Sequence, residues 1–137
     1  MRNQRGFTLI ELMVVLLIIG ILVAISIVKY SSVQGRAKES STKANMHTFQ
    51  LAAEDQCIQS GGKYAPAATV ANNLPAAFAN PFDHSTGSGN SWEARATAAG
   101  APSAKNGLIS YWTDTLTYNV RGYGHGAALA LVLTPGP

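Results

Sequence analysis

Glu11 is the only formally charged residue between Phe7 and Val28, a run of twenty-two residues. About 20 apolar residues in a helix span bilayer hydrocarbon, so this run is long enough to cross. A carboxylate placed in lipid costs about 3 kcal/mol or more, so it needs a reason to be there. Either Glu11 lies near the interface and reaches toward water, or assembly supplies a cationic partner. The other chemistry-bearing residues form weaker patterns. Asp83-His84 beside Ser85–Asn90 holds oxygen donors of the kind calcium takes from loops, with Asp114 as a further donor, but its spacing is not that of an EF-hand. The segment reads as a solvated loop. His47, His84 and His125 follow no zinc spacing and read as surface residues. No Gly-x-Ser-x-Gly elbow is present, and Gly122-x-Gly124-x-Gly126 precedes a strand rather than a helix, so it is no dinucleotide fingerprint. No catalysis, cofactor or metal is expected.

The elements around these residues divide the chain into four stretches. Residues 1–6 are a short basic leader. Residues 7–28 are apolar all round, which suits lipid or a packed helical core. From Lys29 to about residue 60 the helix continues in amphipathic form. No proline falls between Phe7 and Tyr64, and Gly61-Gly62 supplies a stop. A helix over residues 7–59 would be about 80 Å long at 1.5 Å per residue. Met46, Phe49, Ala53 and Cys57 share one stripe, with Ala44, Leu51 and Ile58 nearly opposite and His47, Gln50 and Glu54 between. This describes either two apolar faces, one for the chain's own sheet and one for a neighbour, or one wide core-facing stripe.

Residues 61–107 are rich in Ala, Gly, Ser, Asn and Pro, and Pro66, Pro75, Pro81 and Pro102 exclude long regular elements. A short helix is expected within Val70–Phe78 and a short strand within Ser91–Thr97. Loops of this length are functional or mobile. Residues 108–134 carry the strand signal: Leu108–Trp112 and Leu116–Arg121 about a turn at Thr113-Asp114-Thr115, a glycine-rich flexible connector at residues 122–126, then Ala127–Thr134 with Leu129, Leu131 and Leu133 on one side. The fold class is α+β, a long N-terminal helix packed on a C-terminal antiparallel sheet of three to four strands.

Ten Lys and Arg stand against seven Asp and Glu. Two of the ten, Arg2 and Arg5, fall in residues 1–6, so without the leader eight remain and the net charge is +1. Nucleic-acid binding calls for a clustered basic face, which Lys29, Arg36, Lys38 and Lys43 only modestly approach; nucleic acid is not an expected partner. Arg2 and Arg5 place the N-terminus on the cytoplasmic side by the positive-inside rule. The apolar run exceeds the 7–15-residue core of a secretory signal and no Ala-x-Ala site follows it. Cys57 is the only cysteine, so no intrachain disulfide exists, and it reads as a small buried apolar residue. Trp92, Tyr111, Trp112, Tyr118 and Tyr123 populate either the sheet core or a binding surface. Phe7, Tyr30 and Phe49 along the helix are explained by packing.

Gly6-Phe7-Thr8-Leu9-Ile10-Glu11 after a basic leader resembles the prepilin signature of bacterial type IV pilins and type II secretion pseudopilins. The likeness is close over residues 1–35, and only architectural beyond. It implies that a membrane prepilin peptidase cuts after Gly6 and methylates Phe7. It further implies that Glu11 pairs with the N-terminal ammonium of a neighbouring subunit, the cation the apolar run lacks. The partners implied are copies of the chain in a helical homopolymer and an inner-membrane, ATPase-driven platform. The implied localisation is a single-pass inner-membrane precursor with a periplasmic C-terminal domain, then an extracellular pilus. Two departures stand out: many type IV pilins close a C-terminal loop with a disulfide, and the family commonly has proline where Val28 stands. Without that proline, Gly20 is the one weak point for a bend. The function implied is a structural subunit of a type IV pilus. The alternatives are a type II secretion pseudopilin, a minor pilin for adhesion or DNA uptake, or a single-span protein of another class.

Overall fold

The computed structural model describes residues 6–136. Residues 1–5 of the expected leader, with Arg2 and Arg5, lie outside the described residues. The chain divides between Gly35 and Arg36 into two compact units.

Helix α1 spans Leu9–Gln59 and runs through Gly20 and Val28 without a break. In the first unit every residue from Gly6 to Gln34 is exposed, and this part of α1 is long and apolar enough to cross a membrane. Ser26 Oγ donates to the Leu22 carbonyl (2.8 Å), which hides a polar group against the helix's own backbone.

In the second unit, α1 ends as its glycines require. Gly62 N–H donates to the Cys57 carbonyl (2.9 Å) and Gly61 N–H to that of Ile58 (3.4 Å). These are the two bonds of a Schellman motif, made with φ of 70° and 87° that only glycine adopts freely. Before that end, Thr42, Met46, Phe49, Ala52 and Ala53 are buried, whereas Leu51 and Ile58 are 70% and 80% exposed. The open choice is thereby resolved as two faces, one on the chain's own sheet and one free.

Helix α2 covers Ala67–Ala71, which lies a few residues before the helix expected within Val70–Phe78, because Pro66 opens its first turn and Pro75 stops any extension. Strands β1 (Trp92–Ala94), β2 (Ile109–Asp114), β3 (Thr117–Tyr123) and β4 (Ala128–Leu133) form one sheet in the order β1-β2-β3-β4. The expected all-antiparallel sheet is corrected here: β1 pairs parallel to β2, with Trp92 opposite Ile109 and Ala94 opposite Tyr111. Parallel neighbours need a crossover of a dozen or more residues, and residues 95–108 supply it. The other pairs are antiparallel. The β2–β3 turn is Thr115-Leu116, one residue later than expected, because Asp114 pairs with Thr117. The glycine-rich connector shortens as well. Gly122 and Tyr123 belong to β3, and the Gly122 backbone lies so close that a Cβ there would meet Met46 Sδ at 2.8 Å.

The core packs Met46, Phe49 and Ala53 of α1 against Ile109, Tyr111, Tyr118 and Val120. Phe49 is its centre, with ring centroids 5.2 Å from Tyr111 and 6.3 Å from both Phe78 and Trp92. Of the five aromatics left undecided, Tyr111 and Tyr118 are core, and Trp92 packs against it.

Residues 61–107 are knitted rather than loosely solvated. Asn80 is fully buried. Its Nδ2 donates to the carbonyls of Asn90 (3.0 Å) and Asn106 (2.8 Å), and its Oδ1 accepts from Phe82 N–H (2.9 Å). Gly107, at φ 81°, lies so close to Asn80 that a Cβ there would clash with its Oδ1. Asn80→Ala is expected to strip partners from three backbone groups of the loop and to leave a gap at a fully buried side chain, lowering the stability of the folded chain by about 2–4 kcal/mol. Denaturant unfolding of the detergent-solubilised chain checks this, and a loss below about 0.5 kcal/mol would contradict the hub.

Candidate assembly surface

The head of α1 is built by a reciprocal cap. Thr8 precedes the first helical residue, and Glu11 is the third residue of the helix. Thr8 N–H and Oγ1 each donate to Glu11 Oε2 at 2.8 Å, and Glu11 N–H donates to Thr8 Oγ1 at 3.3 Å. This is a capping box, which satisfies backbone donors that a helix start leaves without partners. A carboxylate in the first turn is also favoured by the positive end of the helix dipole. The sequence reading looked for a partner only outside the chain; the Thr-x-x-Glu spacing signalled the local one and was missed. Gly6 and Phe7 stand just outside the cap, with Phe7 80% exposed and open space around the Gly6 Cα. Gly6, Phe7 and Glu11 are thus gathered within two turns of chain at the head of an uncovered apolar helix.

The loop once weighed as a cation site is occupied by its own contacts. Asp83 Oδ1 accepts from Ser85 N–H (3.0 Å) and Oγ (2.5 Å), and Lys105 Nζ lies 3.5 Å from Asp83 Oδ2. The Ser85 bonds, and secondarily the lysine, hold the Asp83 carboxyl below its ordinary range. Asp114 Oδ1 instead accepts from Thr115 N–H (2.6 Å) at the hairpin turn. No group of three or more His, Cys, Asp and Glu side chains gathers to hold a metal among the described residues. The histidines serve locally: His47 Nδ1 lies 3.3 Å from Gln50 Oε1, His84 turns the chain at φ 58°, and the His125 ring stacks on Phe82. Cys57, read as buried, is half-buried.

A second constellation was not anticipated. Glu54, read as lying between the helix faces, accepts from Tyr118 Oη (2.6 Å) and Tyr64 Oη (3.1 Å), and the two rings meet edge-on at 4.7 Å. Burial, then the Glu54 carboxylate, pushes the Tyr64 phenol up to about 12 and raises Tyr118 as well. Because the folded values lie above the unfolded phenol value of about 10, the unfolded chain loses these protons first. The stability they contribute is present below pH ~10 and lost as pH rises through the folded values. Tyr64→Phe is expected to flatten this alkaline loss, read as unfolding free energy against pH; an unchanged slope above pH ~10 would contradict it.

A helix start with a capped carboxylate, followed by an exposed apolar run long enough to cross a membrane, in a chain whose C-terminal unit packs the end of the same helix on a small sheet, defines a helix–sheet class of protein with an uncovered apolar N-terminal helix. The family described as the prokaryotic N-terminal methylation motif matches residues 1–27. The type IV narrow pilus major component PilA5 of Thermus thermophilus is 34% identical over 124 residues, covering 86% of this chain and 97% of the relative. The type IV major pilin protein PilA of Myxococcus xanthus is 50% identical over 50 residues, 36% of this chain and 23% of the relative. A fimbrial protein of Pseudomonas aeruginosa is 41% identical over 59 residues, 43% and 38% respectively. In the last two the match thus spans well under half of the relative's length. No solved structure matches the chain. The chain belongs to the type IV pilin family, whose members are structural subunits.

Proposed function

We propose that this chain is the precursor of a type IV pilus filament subunit, cut between Gly6 and Phe7 and methylated on the new Phe7 amine. Before assembly the apolar part of α1 lies in the inner membrane, with the N-terminus cytoplasmic and the globular unit periplasmic. A prepilin peptidase exposes the amine, and an ATPase-driven inner-membrane platform adds the subunit to a helical homopolymer. The observation that carries this reading is the capped Glu11 at the head of an exposed apolar helix, the fifth residue after the Gly6–Phe7 bond.

The physical argument concerns where the Glu11 charge resides. In the free subunit Thr8 N–H and Oγ1 hold the carboxylate, which lowers the cost of keeping it in or near lipid without removing it. In the filament the ammonium of a neighbour's Phe7 neutralises it, while the exposed apolar side chains exchange lipid for protein. An ion pair buried in this way is costly when one partner is missing, so growth favours subunits that are both processed and in register. PilA5, the relative matched over most of its length, is called a major pilus component, which supports a filament subunit over a secretion pseudopilin.

Gly6→Ala tests processing. Open space surrounds Gly6, so a methyl group there does not disturb the fold. The variant is expected to accumulate at precursor mass with essentially no mature chain; normal maturation on a gel would sink the cleavage assignment.

A further inference from the structure

The sheet face turned away from α1 holds a charge arrangement that the proposed Glu11 pairing does not involve. Register places Glu93 of β1, Ser110 of β2 and Arg121 of β3 on one rung of that face. The crossover segment lies over it. Arg95, at its start, donates through Nη1 to the carbonyls of Ala98 (3.1 Å) and Gly100 (2.6 Å), and through Nη2 to the Asn119 carbonyl (3.3 Å) and Oδ1. Asn119 is two residues before Arg121 on the same face of β3, so Arg95 is held on the strand that carries Arg121. Burial, and then the charge of Arg121, lower the Arg95 value from its ordinary one, against the smaller opposing effect of Glu93.

The countercharge for this pair is incomplete. Glu93 is the acid nearest in register, but its oxygens are engaged by Ser103 N–H (2.8 Å) and Oγ (2.5 Å). The one ion pair among the described residues joins Lys105 to Asp83 and reaches neither arginine. Arg95 Nε, Arg121 Nε and Ser110 Oγ are buried without a hydrogen-bond partner among the described residues, and Ser110 is fully buried. Orphaned buried donors are costly and rare in folded chains. Two like charges in a half-buried setting add to that cost. Arg121 as a whole residue is half-buried, whereas its Nε is shielded from solvent.

We propose that Arg121, Ser110 and Arg95 form a binding site for a small oxyanion, a phosphate or a carboxylate, on the sheet face away from α1. The oxyanion accepts from the guanidinium fork of Arg121, whose planar donors match two oxygens at once, and from the Ser110 hydroxyl beneath it. Arg95 is locked by the crossover carbonyls and adds its charge and its free Nε–H. The site is independent of Glu11 and of cleavage, so its failure would leave the filament reading untouched.

The test is a titration of the detergent-solubilised full chain with sodium phosphate and, separately, sodium acetate, following the Nε–H resonances of Arg95 and Arg121 by NMR. Sodium chloride at matched ionic strength is the control for screening. Either oxyanion is expected to give a saturable shift that chloride does not reproduce. Stronger phosphate binding assigns a tetrahedral ion shared by both guanidiniums; equal or stronger acetate binding assigns a flat carboxylate on Arg121 alone. Read on the Arg95 resonance, R121Q is expected to weaken binding at least tenfold, and S110A about threefold, as charged and neutral hydrogen bonds differ. Should R121Q unfold, R121K keeps the charge and loses the fork, and is expected to weaken binding severalfold with native sheet resonances retained. A linear shift, an identical response to chloride, or wild-type binding by R121Q or by a folded R121K would each overturn the site.

Discussion

Glu11→Ala is expected to leave the chain inserted in the membrane and cleaved at its normal rate while filament yield falls at least tenfold. Two effects separate in this variant. Loss of the cap removes the bonds from Thr8, which costs the helix start about 1 kcal/mol, a local change at an exposed turn. Loss of the carboxylate leaves each incoming Phe7 ammonium without a countercharge in an apolar filament core, an uncompensated buried charge whose cost is several kcal/mol per subunit. Because the second penalty recurs at every added subunit, it dominates. Thr8→Val distinguishes the two: it removes the Oγ1 contact to Glu11 and keeps the charge, so it is expected to reduce yield far less. Sheared filament mass per cell is the readout, and wild-type yield from Glu11→Ala would refute the intersubunit role.

Phe49→Ala is expected to cost the globular unit about 3–5 kcal/mol, the range for emptying a buried aromatic site. Phe49 is fully buried and touches the rings of Phe78, Trp92 and Tyr111. It therefore joins the helix, the loop after α2, β1 and β2 at one point, and neighbouring side chains cannot collapse into the space without separating those elements. Denaturant unfolding of the detergent-solubilised chain measures the loss. A change below about 1 kcal/mol would mean that another group centres the core.

These two residues also show what was legible in the sequence. Helical spacing alone puts Phe49 on an apolar stripe without saying that this stripe is the core one, and Glu11 stands out because one charge in twenty-two residues is expensive in lipid. Local patterns of this kind, with the Gly61-Gly62 stop and the alternating leucines of β4, are written within a few residues. The Thr8 cap is equally local, marked by the Thr-x-x-Glu spacing, but the apolar run around it carries the stronger signal.

The parallel β1 was not legible in the same way. Trp92–Ala94 is three residues long, and its direction depends on the path of the 95–108 crossover, which no periodicity records. The Glu54 clamp joins groups ten and sixty-four residues apart, so only folding brings the phenols to the carboxylate. Asn80 looked like one more polar residue in a proline-rich stretch, and its burial follows from carbonyls that the loop itself gathers around it.

The central claim is that this chain is cut after Gly6 and polymerises. Intact and N-terminal mass analysis of sheared surface filaments from cells with an active prepilin peptidase tests it most directly. A mature chain beginning at methylated Phe7 and dominating the filament fraction by mass is the predicted result. A chain that keeps its Met1 start and stays in the membrane fraction would contradict it.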